Sequence, residues 1–134
     1  MLRSGRHNWK KSDLKVIGSG INGVRQTPDI LQDLDVKVVS RWTHWIKDWY
    51  PYYSRNVVPV VGKKKNSGIC FGDSGGPLFD PRANAIHGVA SYVIRSCSTE
   101  HPSYYTMTEK YIDFIIDHVC KSTSSMFLTV CLSP

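Results

Sequence analysis

Cys70-Phe71-Gly72-Asp73-Ser74-Gly75-Gly76-Pro77-Leu78 is the stretch on which the reading of this chain turns. Glycines flank Asp73-Ser74 on both sides, so the backbone can take turns closed to residues that carry a side chain. A serine hydroxyl can then stand exposed with backbone N–H groups beside it, and such groups are what a tetrahedral oxyanion needs during acyl transfer. By composition alone the stretch is an ordinary loop, because Gly, Asp, Ser and Pro together mark turns. Its setting and the order of its residues raise it above that.

Short β-type runs surround it, separated by turn residues. Leu14-Lys15-Val16-Ile17 precedes Gly18-Ser19-Gly20, and Leu34-Asp35-Val36-Lys37-Val38 alternates apolar with polar as a half-buried strand does. Val57 to Val61, Gly76 to Phe79, Ile86 to Val93 and Ser103 to Met107 complete a series of six. Such spacing predicts an all-β fold, a small antiparallel barrel or sandwich. Two segments break the pattern. From Ser40, a helix-capping residue type, Trp42, Trp45, Ile46 and Trp49 gather on one helical face, which predicts a short helix laid on the barrel. Thr108 to Val119 brings Tyr111, Ile112, Ile115, Ile116 and Val119 onto a broad apolar stripe, which predicts a second, longer helix with that stripe packed in the core.

With 134 residues, 41% of them hydrophobic, the chain suffices for one domain with its own core. The net charge of +6 comes from scattered Lys and Arg, with clusters at Arg3/Arg6/Lys10/Lys11 and Lys63-Lys64-Lys65. We read these as solvated loop surface, and no motif of a nucleic-acid module accompanies them. No apolar run reaches the length of a spanning helix, Met126 to Leu132 being far too short, so no membrane partner is expected. The first residues carry no apolar run of the kind a secretory signal needs. Four cysteines, Cys70, Cys97, Cys120 and Cys131, allow three pairings, and spacing does not choose between them. None lies in a Cys-x-x-Cys pair, so a zinc site is not expected; no cofactor is expected either.

Gly72-Asp73-Ser74-Gly75-Gly76-Pro77 resembles the nucleophile motif of the chymotrypsin-like (trypsin-type) serine proteases, and further matches follow in that family's order. Val16 to Gly20 resembles the strand and turn that open the second barrel, and Leu31 to Ser40 the strand leading to the intermediate helix. Gly88 to Val93 resembles the substrate-pairing strand, Cys97 the pocket cysteine, Pro102 to Thr106 the pocket wall, and Tyr111 to Val119 the terminal helix. The resemblance runs roughly from Leu14 to Val119. It implies the second barrel of a trypsin-like fold: a six-stranded antiparallel Greek-key barrel with an intermediate helix and a C-terminal helix. The expected organisation is a basic segment over 1–13, the barrel over 14–120 and a flexible tail over 121–134.

The resemblance also assigns roles. Ser74 would be the nucleophile, with the N–H groups of Gly72 and Ser74 as the oxyanion hole. Asp73 would receive the amino terminus freed by zymogen cleavage. Ser91 would support the triad aspartate, and Ser91, Tyr92 and Val93 would form an edge strand for the substrate backbone, with Phe71 beside it. Gly68 stands where trypsins carry the acidic pocket floor, and Val93 and Ser103 take wall positions that are glycine in open pockets, which implies an elastase-like preference for small apolar residues. Cys70 and Cys97 match the pair that clamps the pocket. Asp33 and Asp80 stand where many members have a cysteine pair, and Trp45 replaces another cysteine.

No segment resembles those that bear the catalytic histidine and aspartate, which belong to the first barrel. His7, His44, His87, His101 and His118 are read as surface or packing residues. The expectation is therefore a serine endopeptidase represented by its C-terminal half and inactive alone. Its partners would be a protein or peptide substrate and the missing N-terminal barrel, and its compartment extracellular. The alternative is a non-catalytic homologue that serves as a binding or regulatory module.

Overall fold

Valine-rich, alternating segments make the strands. In the computed structural model, which describes residues 14–18, 28–39, 55–94, 97 and 101–122, they are β1 (Leu14–Gly18), β2 (Gln32–Val38), β3 (Val57–Gly62), β4 (Pro77–Asp80), β5 (Ala85–Val93) and β6 (Ser103–Met107). Each neighbouring pair is antiparallel, and the order β1-β2-β3-β6-β5-β4 closes on itself where Lys15 and Val16 of β1 face Phe79 and Leu78 of β4. Closure gives every strand two neighbours, although β5 beyond Val89 runs past β4 and pairs there with β6 alone. The expected six-stranded barrel is thus the fold.

The alternation read in β2 has its physical counterpart: Val36 is buried while Asp35 and Lys37 face solvent. Leu14, Val16, Val36, Val58, Val60, Ile69, Leu78, Ala90, Tyr105 and Met107 form the core. Val57, Ile94 and Tyr104 form a smaller cluster flanked by Tyr92, whose ring stacks on Tyr104 with centroids 4.6 Å apart.

β5 carries an irregularity with chemical content. Leu78 pairs with Gly88 and Phe79 with Ile86, so His87 is an extra residue in the ladder. A bulge of this kind re-aims a side chain. Here His87 is buried, and its Nε2 lies 3.5 Å from Oδ2 of the equally buried Asp80. The other oxygen, Oδ1, accepts the N–H groups of Arg82 at 2.9 Å and Ala83 at 3.2 Å. Burial alone would push the Asp80 carboxyl up. The two N–H groups and the imidazole outweigh it and hold the carboxyl below its ordinary range. Asp33, at the other position where the resemblance implied a cysteine, instead meets Lys15 across the β1–β2 pair, with Asp35 3.2 Å from the same ammonium.

The terminal helix departs from expectation in two ways. Thr108–Tyr111 forms a single 3-10 turn, and the α-helix proper, α1, runs over Ile112–Ser122. The turn packs against β5, whereas α1 makes its main contacts with the turn. The apolar stripe therefore lies outside the core: Ile112 and Ile115 are half-buried, but Tyr111, Phe114, Ile116 and Val119 are exposed by 40 to 60%. The expected core packing of this stripe is corrected. Periodicity reports that a face is apolar, not what covers it. The Trp-rich helix expected from Ser40, with Trp45, lies outside the described residues.

Candidate active site

The loop from Ile69 to Gly76 joins the barrel core to β4, and two of its glycines hold conformations that side-chain-bearing residues avoid: φ is 98° at Gly72 and 83° at Gly75. The Cys70 carbonyl accepts the Asp73 N–H at 3.1 Å, and the Asp73 carbonyl accepts the Gly76 N–H at 2.9 Å. Two successive turns result, sharing Asp73, with Ser74 the first residue inside the second. The second is fastened to β5, because Gly75 N–H donates to the Ala90 carbonyl at 3.0 Å and Ala90 N–H to the Gly76 carbonyl at 2.8 Å.

Ser74 is exposed at this elbow, as is Gly72. Neither of their N–H groups is taken by a backbone acceptor among the described residues. The hydroxyl borders a cavity of about 240 Å³ lined by Ile69, Cys70, Phe71, Ser74, Ala90, Ser91, Tyr92 and Val93. Six residues singled out in the sequence thus meet at one depression: Cys70, Phe71, Ser74, Ser91, Tyr92 and Val93. Ile69 and Ala90 were not singled out, although both adjoin residues that were. Their buried side chains supply apolar wall.

Two of the residues expected to bind substrate lie elsewhere. Gly68 borders a separate cavity of about 330 Å³ on the β1–β2 side, with Val16, Ile17, Gly18, Asp33, Leu34 and Asp73 among its lining. Ser103 is buried in β6, opposite Val93 in the ladder. The larger cavity is therefore not the one at the serine.

Asp73 connects the two. Its Oδ2 accepts the Cys70 N–H at 2.9 Å, and its Oδ1 comes so near β1 that a β-carbon on Gly18 would sit 2.1 Å away. Beneath it Tyr105 is almost wholly buried, and burial, helped by the Asp73 charge, pushes its phenol well above the ordinary range. Tyr105 is a neutral hydroxyl at any physiological pH.

Cys70 is bridged to Cys97, with Cα atoms 4.9 Å apart. This pairing agrees with the resemblance. It ties the nucleophile loop to the segment after β5 and holds Cys97 at φ 67°, which few residues with a side chain adopt unaided. Among the described residues, no histidine lines the cavity at Ser74. His87 is held against Asp80, and His118 Nδ1 lies 2.8 Å from the Phe114 carbonyl on α1. Chemically, the arrangement presents an exposed hydroxyl, two nearby N–H groups without a backbone acceptor among the described residues, and an apolar recess. Among the described residues that line the cavity, none carries an imidazole or a carboxylate.

Comparison with known proteins places this geometry. The family model described as Trypsin matches residues 4–115. Neutrophil elastase of Mus musculus is 29% identical over 106 residues, which cover 78% of this chain and 36% of that protein. Proproteinase E of Bos taurus is 33% identical over 102 residues, covering 71% of this chain and 39% of the relative. The fibrinolytic enzyme isozyme C of Lumbricus rubellus is 31% identical over 105 residues, 72% of this chain and 43% of the relative. The chain thus spans well under half the length of each. Among solved structures, GrC superposes with a TM-score of 0.72 at 24% identity, covering 88% of this chain and 51% of that one, a likeness of fold.

Proposed function

This chain belongs to the trypsin family, and from that premise we propose that it is the nucleophile-bearing half of a serine endopeptidase, with Ser74 as the attacking group. The observation that carries the reading is the exposed Ser74 between two glycines of positive φ, on the rim of an apolar cavity. In the proposed reaction the Ser74 oxygen attacks a peptide carbonyl, and the N–H groups of Gly72 and Ser74 receive the oxyanion. One such donor contributes about 3–4 kcal/mol to the transition state in enzymes of this mechanism.

The hydroxyl also has to lose a proton. A serine without an adjacent base is a poor nucleophile toward amides at neutral pH. The chain alone is therefore proposed to be inactive, and the intact enzyme to gain its histidine and aspartate from a first barrel. Ser91, Tyr92 and Val93 would pair with the substrate backbone. Val93, on the wall of the cavity beside Ser74, would restrict the pocket to small apolar residues such as Ala or Val. The Cys70–Cys97 bridge favours an oxidising, extracellular compartment.

The test is a peptide-library profile of the chain joined to a first barrel that bears the histidine and aspartate. Cleavage after Ala or Val, lost in Ser74→Ala, is the expected outcome. Dominant cleavage after Lys or Arg would refute the pocket reading. No cleavage by a folded, joined protein would instead favour a non-catalytic homologue that binds through the same face.

A further inference from the structure

The stretch of β5 that borders Ser74 owes its orientation to a second irregularity. Ala90 is paired with Tyr105 and Tyr92 with Tyr104, so Ser91 has no partner in the β5–β6 ladder. Side chains alternate between the two faces of a strand, and one extra residue reverses that alternation. Ala90 and Tyr105 lie in the barrel core. Beyond the bulge, Tyr92 leaves that face and packs on the separate cluster of Val57, Ile94 and Tyr104. Tyr104 is almost wholly buried, and its strand runs between β3, where it faces Pro59, and β5, where it faces Tyr92. Its ring centroid lies 4.6 Å from that of Tyr92, with the two planes 9° from parallel. Tyr92 lines the cavity at Ser74, whereas Tyr104 is not part of that lining.

We propose that Tyr104 is a positioning residue for the substrate: without reaching the cavity, it fixes through the stack the plane of Tyr92, the aromatic wall against which a bound peptide lies. The inference rests on the endopeptidase reading of Ser74. Tyr92 is only half-buried, and a ring at a cavity rim has rotamer freedom that binding would have to remove. Parallel contact with a buried ring removes that freedom before the peptide arrives. Such a wall strengthens binding and leaves the bond-breaking step alone. It is met equally in the ground state and the transition state, so its loss raises KM and spares kcat. Damage to the fold has the opposite signature, because fewer active molecules lower the apparent kcat at unchanged KM. The strength of an aromatic pair sets the scale at about two- to tenfold in KM.

The test has a spectroscopic arm and a kinetic one. In the full oxidised chain with isotope-labelled tyrosine, the Tyr92 ring signals should be shifted upfield by the ring beside them. Tyr104→Leu should abolish that shift and Tyr104→Phe should keep it. In the chain joined to a histidine- and aspartate-bearing barrel, Tyr104→Leu should raise KM for a peptide anilide ending in Ala-Val by about two- to tenfold, with kcat little changed. Tyr104→Phe should restore the parent KM. Tyr104→Met, whose flexible side chain fills irregular gaps, covers the case in which the leucine variant fails to fold. In a Tyr92→Leu background, Tyr104→Leu should add nothing to KM, because the two residues act as one unit. The proposal is overturned if an active Tyr104→Leu protein keeps the parent KM, or if KM rises further in the Tyr92→Leu background. An inactive joined parent refutes the endopeptidase reading and the inference with it.

Discussion

A β-carbon on Gly76 would sit 2.7 Å from the Ile17 carbonyl oxygen and 2.9 Å from that of Asp73. Both are backbone atoms that cannot swing away, so Gly76→Ala should destabilise the fold by about 1–3 kcal/mol, the usual range for overpacking. Urea unfolding at neutral pH measures it, and unchanged stability would contradict the close approach. Asp80 permits a test by pH. Its folded carboxyl titrates below the ordinary value, so its contribution is complete above the unfolded pKa and is lost as pH falls through the folded one. Between pH 6 and pH 3, Asp80→Asn should therefore lose less stability than the parent chain. Equal loss would show that the His87 and backbone contacts do not hold the carboxylate. At this scale the sequence was most legible where residues are contiguous. The glycine pattern announced the elbow at Ser74, but the pairing of Asp80 with His87 depends on a bulge that only strand register reveals.

Among the elements, the Cys70–Cys97 bridge spans 27 residues of sequence. Chain entropy puts its contribution at about 3–4 kcal/mol. The double variant Cys70→Ser/Cys97→Ser should fall by that order in urea, and a loss under about 1 kcal/mol would contradict the estimate. The helix and the barrel should respond differently to truncation. Leu78 is fully buried and Leu78→Ala should cost about 2–5 kcal/mol, whereas Phe114 is 60% exposed and Phe114→Ala should stay within about 0.5 kcal/mol. A large loss at Phe114 would place α1 in the core after all. The strands were readable because apolar residues alternate with polar ones, as at Leu34, Val36 and Val38 around Asp35 and Lys37. The 3-10 turn at Thr108–Tyr111 was not, since its residues fit either helix type and the choice rests on packing against β5.

For the whole molecule, Tyr111, Phe114, Ile116 and Val119 on the terminal helix, and Ile86 and Val89 on the outer face of β5, are large apolar residues left in contact with water. Patches of that kind mark contact surfaces. Sedimentation of the isolated chain should show concentration-dependent association, reduced by Phe114→Asp; a strictly monomeric chain at high concentration would contradict it. The barrel's closure could not be read from periodicity alone, which left barrel and sandwich open, and the order of family-like segments resolved it. The central proposal is that Ser74 is a nucleophile waiting for a base. Fluorophosphonate labelling with the modified residue mapped by mass spectrometry tests it most directly. The chain joined to a histidine- and aspartate-bearing barrel should be labelled at Ser74 and the chain alone should not. Equal labelling of both, or labelling at any other residue, would contradict it.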